Sequence, residues 1–177
     1  MKNIPVESKL FSKVQNSYFA DAFEQYHSDI KGKDAIELFY DMSRRSPAWI
    51  NTLLRIRNKS CKLLFGLKDV GVFSDTKLTK PLNEYKQGDK LGIFTIVSVS
   101  ENEMVGEDND KHLCVQVAIM KRPESESVIV STVVHVHNFI GKFYMLFVGP
   151  VHRVVTTMLL FGIPVHINNN RKTTLTQ

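Results

Sequence analysis

Five carboxylates, Glu101, Glu103, Glu107, Asp108 and Asp110, crowd a stretch centred on Gly106 in which residues 101 to 110 carry no base. Carboxylates this close can share protons as a general acid and base, or bind Ca²⁺. Their spacing is not that of an EF-hand loop, and Asp, Asn and Gly are also what turns use, so a solvated, charge-rich hairpin is expected, with Gly106 marking a bulge or twist. His135 and His137 share a strand face and His112 comes within reach if its strand is adjacent. Three imidazoles can ligate zinc. The His-x-His pair has no further ligand spacing and no orienting shell, so polar histidines without a metal are expected. Cys114 has His112 two residues away on the same face, but side chains at i and i+2 of a strand lie about 6–7 Å apart, too far for a thiol dyad. The chain contains no G-x-S-x-G, G-x-x-x-x-G-K or G-x-G-x-x-G string, so an enzyme is unmarked and no cofactor is expected.

A second asymmetry is basic: Arg44, Arg45, Arg55, Arg57, Lys59, Lys62 and Lys68 occupy residues 44 to 68 without an acid. With Trp49 among them, apolar insertion plus charge could serve nucleic acid or an anionic membrane. A helix that must also bury Ile50, Leu53 and Leu54 has little apolar surface to spare, so Trp49 is expected in the core and the charges on a solvated face. No nucleic-acid partner is expected.

The elements that must position these residues follow from periodicity. Residues 17 to 26, if extended, set Phe19, Asp21 and Phe23 on one face, which suggests a first strand with a helix as the alternative. Asp34 and Glu37 have capping-box spacing ahead of Ile36, Phe39 and Tyr40, which predicts a short helix to about Met42. Ser46 and Pro47 start a second helix with Ile50, Leu53, Leu54, Cys61, Leu64 and Phe65 inward and Gly66 as its stop. Residues 68 to 90 read as a long connection with at most a short strand near Val70 to Phe73. From Lys90 the period becomes two. Alternating segments near 93–100, 113–119 and 128–137 predict antiparallel strands, joined by turns at Glu107 to Lys111 and Arg122 to Ser127. A last helix from Phe139 is amphipathic after Pro150, with Val151, Val154, Val155, Met158, Leu159 and Gly162 as the face packed on a sheet.

With 177 residues and 43% of them hydrophobic, one domain with its own core is expected, spanning 1–165 and followed by a polar tail, 166–177, expected to be disordered. Cys61 and Cys114 give no disulfide framework, the N-terminus has no secretory apolar core, and Lys142, Pro150, His152 and Arg153 interrupt the most apolar stretch. These features predict a cytoplasmic protein with no transmembrane segment.

The strings Ser17-Tyr-Phe-Ala-Asp-Ala-Phe23, Pro47-Ala-Trp49, Gly106-Glu-Asp-Asn-Asp-Lys-His-Leu113, His137-Asn138, Gly141-Lys-Phe-Tyr144 and Pro150-Val-His-Arg153 resemble an uncharacterised bacterial family of unknown function. That family is known alone and as a C-terminal extension of short-chain-dehydrogenase-like proteins. The resemblance covers residues 17 to 162. Where such proteins usually show an Asp and an Arg, this chain has Cys114 and Gln116, so an ion pair on that strand face is absent. The element order is similar to that of the START and Bet v 1-like helix-grip superfamily. It implies an α+β fold in which a curved antiparallel sheet, with two short helices near the N-terminus, wraps a long C-terminal helix around an apolar cavity. The resemblance implies binding of a small apolar molecule or lipid. Phe94, Ile96, Val134, Met158 and Phe161 would line the cavity, and Tyr144, His135 or His137 would supply a polar contact. An enzyme acting on a hydrophobic substrate, or an interaction module for an associated oxidoreductase, are the alternatives it implies.

Overall fold

The computed structural model of the chain describes residues 4–27, 30, 32–65 and 71–161. The expected stop at Gly66 and the polar tail 166–177 lie outside these residues. Six strands, β1 (Phe19–Tyr26), β2 (Lys90–Leu91), β3 (Phe94–Val99), β4 (Glu103–Asn109), β5 (Leu113–Arg122) and β6 (Ser127–Val136), form an antiparallel open sheet in the order β1-β6-β5-β4-β3-β2. The helices are α1 (Ala35–Arg44), α2 (Ala48–Phe65) and α3 (Phe139–Phe161). The architecture is α+β.

Alternation of side chains gives the sheet two different faces. One presents Phe23, Val130, Ile119, Met104 and Ile96 to α1 and to the end of α3, where they join Phe39, Met42 and Leu160 in the main core. The capping box starts α1 as its spacing requires, with Glu37 accepting the Asp34 N–H at 2.9 Å. The other face presents Val133, Ala118 and Val105 to the N-terminal segment, whose Ile4 and Leu10 close a smaller core. Glu103 fastens that segment. It accepts the Ser8 hydroxyl at 2.6 Å and the Lys9 N–H at 3.2 Å.

Glu103 also marks a correction, because residues 103 to 109 form a full strand where the charge density suggested a hairpin turn. The polar side chains there have internal partners: Glu107 accepts from Gln116 at 2.7 Å across the β4–β5 pair, and Asp110 accepts the backbone N–H groups of His112 and Leu113. Two expectations for the preceding connection also change. Phe73–Asp75 is a 3₁₀ turn, and the additional short strand is only Lys90–Leu91. The irregularity expected at Gly106 falls on its neighbour: the register slips between Ile96 and Ser98 of β3, which returns Val99 to the Ile96 face. Gly106 serves a close approach instead, since a Cβ there would sit 2.8 Å from Cβ of Phe94.

The helices differ from expectation in which sides they bury. The second is long, not short. Trp49 is 38% exposed and Leu53 is exposed too, because only Ile50 on that turn reaches the core. The side chains of Cys61, Leu64 and Phe65 lie outside the described residues. α3 bends by 48° between Phe139–Leu146 and Val148–Leu160. Pro150 lies within it; it lacks an N–H and its ring crowds the carbonyl of Leu146, four residues back. Beyond the bend the inward stripe is His152, Val155, Thr156 and Leu159, whereas Val151, Val154 and Met158 are exposed. The apolar repeat thus straddles the inward face. No single helix among the described residues is long and apolar enough to cross a membrane; the two arms of α3 pass that test only together, across the bend.

At the end of β1, His27 is fully buried, and burial holds its pKa below the ordinary 6.5, with the backbone of Leu160 acting in the opposite direction. The unfolded chain takes up a proton near pH 6.5 that the folded chain does not. This contribution to stability is therefore complete above that pH and is lost as pH falls below it, with a slope of at most about 1.4 kcal/mol per pH unit. Thermal melts between about pH 7.5 and 5.5 should show a fall that His27→Gln reduces. Identical pH profiles for the two proteins would remove His27 as the cause.

Candidate functional site

Val115 and Val117 lie on the middle of the sheet yet are only half-buried. They face a cavity of about 700 Å³ between the sheet and α3. Val130, Thr132 and Val134 of β6 continue the sheet wall; Met145, Val148, Val155 and Leu159 of α3 form the roof, and Phe39, Met42 and Ile50 close the end under α1 and α2. Leu53 and Ile56 of α2, and Phe143 and Val151 of α3, line the space and are also exposed, so the cavity opens between these two helices. Its size is in the range of small-molecule sites, roughly 300–1,000 Å³, and an apolar lining with few polar groups is what such sites use.

The polar side chains in the wall include Asp108, Thr132, Tyr144, His152 and Thr156. One group of them is organised. Asp21 stands between Phe19 and Phe23 on the β1 face that meets α3, opposite Thr132, and is 6% exposed. His152 Nδ1 donates to Asp21 Oδ2 at 3.2 Å, the Thr156 hydroxyl lies 3.5 Å from the same nitrogen, and the Phe19 ring packs edge-on against the imidazole at 5.3 Å. Asp21 Oδ1 is buried and has no hydrogen-bond partner among the described residues. A carboxylate on Nδ1 fixes the ring's tautomer and orientation, leaving Nε2 for a ligand or a proton. The arrangement can accept a hydroxyl proton, or donate to an acidic headgroup when the ring is protonated.

Of the residues the sequence singled out, Phe94, Val134 and Tyr144 line the cavity. Ile96 is buried in the packed core beside it. Met158 is exposed on α3, and the Phe161 side chain lies outside the described residues. His135 cannot serve the cavity: it follows Val134 on β6, pairs with Cys114, and so points to the opposite sheet face. His137 is exposed, 3.4 Å from Asn109 Oδ1. His112 is buried and donates through Nδ1 to Asn138 Oδ1 at 3.1 Å, the oxygen that also caps α3 by accepting the Gly141 N–H. The three histidines therefore do separate work, and among the described residues no three His, Cys, Asp or Glu side chains are grouped to hold a metal ion. Cys114 is buried on the outer face, where burial first and the Glu107 carboxylate second push its thiol up to about 12. A thiol held protonated is a poor nucleophile.

Asp21 and His152 were missed because each lies within an apolar pattern that accounts for its neighbours. The usable signals were a carboxylate between Phe19 and Phe23 at strand spacing, and His152 with Thr156 one helical turn apart. No curated protein and no solved structure matches the chain significantly. The family model described as "Protein of unknown function (DUF2867)" matches residues 14–158, from just before β1 to the last turn of α3, and the chain belongs to that family.

Proposed function

We propose that the protein holds a small apolar molecule or lipid in the space between sheet and α3, in the manner of a helix-grip fold, and does so in the cytoplasm. The observation that carries this reading is the roughly 700 Å³ apolar space whose wall holds the anchored His152. Phe94, Val134 and Tyr144 would contact the ligand's body, and His152 Nε2, with Thr156, its polar end. Enlarging the wall tests this. Val134→Phe is expected to abolish uptake of a fluorescent fatty acid while changing stability little, since open space accepts volume that a packed core rejects. Uptake equal to wild type, or unfolding of the variant, would count against the binding reading.

The Asp21–His152 pair favours one alternative, an enzyme acting on a hydrophobic substrate with His152 as general base. Its geometry is that of an oriented imidazole in a largely apolar wall. Turnover of a bound molecule that stops in Asp21→Asn and His152→Gln, with binding retained, would distinguish catalysis from storage.

A further inference from the structure

The mouth of the cavity is built unlike an ordinary surface. Trp49, Leu53 and Ile56 follow one another at i, i+4 and i+7 along α2, and Phe139, Phe143 and Leu146 do the same along the first arm of α3; all six are exposed, Ile56 by 57% and Leu146 by 66%. Leu53, Ile56 and Phe143 line the cavity as well, so both apolar stripes border the same opening. Contiguous exposed apolar surface of this kind is uncommon unless something covers it.

Charge decides what that is. Neither α2 nor α3 contains an Asp or Glu across its whole length. Lys59 is exposed three residues after Ile56, and Lys142 is exposed three after Phe139 and four before Leu146, so each helix carries a cation beside its apolar stripe. Arg44 and Arg45, exposed just before α2, add two more. An apolar face rimmed by cations is the pattern of a helix lying in the headgroup layer of an anionic bilayer, aromatic side chains entering the acyl boundary and basic ones meeting lipid phosphates. The remaining C-terminal residues, 162 to 177, include Arg171 and Lys172 and no acid, so they have the wrong charge to complement this rim. We infer that the α2–α3 mouth docks on an anionic lipid bilayer, which brings the cavity entrance against the membrane. The inference rests on the binding reading above only for what passes through the mouth, not for the docking itself.

Trp49 is the chain's single tryptophan and sits on the docking face, so its fluorescence reports the event. Vesicles of phosphatidylcholine with phosphatidylserine are expected to shift its emission to the blue and to carry the protein upward in flotation. Pure phosphatidylcholine vesicles should do neither, and added salt should reverse the effect. Lys59→Glu with Lys142→Glu should weaken vesicle partition by more than about tenfold, with an unchanged melting temperature because both side chains are exposed. Emission indifferent to both vesicles, or equal partition of wild type and double variant, would overturn the proposal. So would a blue shift that grows with protein concentration without lipid, which would assign the face to a second copy of the chain. Fatty-acid uptake measured without vesicles separates the two readings: a protein that takes up the probe but ignores vesicles defeats docking alone, and one that floats with vesicles but takes up no probe defeats the binding reading alone.

Discussion

Ile119→Ala is expected to lower the free energy of unfolding by about 2–5 kcal/mol, whereas Val134→Ala should cost about 1 kcal/mol. The two residues share one face of the sheet and are both almost fully buried. Their surroundings differ. Ile119 lies between Met104 and Val130 in the main core and does not itself border the cavity, so deleting three carbons there leaves a new hole among packed neighbours. Val134 borders the cavity, so its truncation enlarges a space that already exists without creating one. Denaturant unfolding of the two variants measures the contrast. Equal losses would mean that the space beside Val134 closes in solution.

What the sequence made legible, and what it did not, follows from the range of the interactions involved. The capping box at Asp34 and Glu37 and the alternation in β5 and β6 are local signals, and both elements are where those signals lie. β4 was hidden because its acids resemble a turn. Glu103 is satisfied in the strand by Ser8 and Lys9, 95 and 94 residues away, and Glu107 by Gln116 opposite it on β5. The rotation of α3 was hidden for a related reason. A helix apolar on several sides does not announce which stripe faces inward, so the apolar repeat from Val151 to Gly162 leaves out His152 and Thr156, although the partner of His152, Asp21, is on a strand 131 residues away and Thr156 lies against the same imidazole. Trp49 reverses the same logic: its chemistry predicted a core residue, but it is exposed on α2, one turn before Leu53, which borders a cavity that the sequence suggested only through resemblance.

The double-mutant cycle at Asp21 and His152 should expose the cost of orphaning a buried acid. Asp21 is 6% exposed and among the described residues one of its oxygens has no partner, so the imidazole is its chief compensation. His152→Ala is therefore expected to destabilise the protein by about 1–3 kcal/mol, the range for leaving a buried polar group unsatisfied. Adding Asp21→Ala should return part of that loss, because the stranded carboxylate is then gone. The coupling is measured from denaturant unfolding of the wild type, both single variants and the double variant. Strictly additive losses would show that His152 and Asp21 do not depend on each other, and the imidazole would then lack the fixed orientation on which its role at the cavity wall rests. A coupled pair whose variants also release the fluorescent fatty acid would tie the same hydrogen bond to the ligand's polar end.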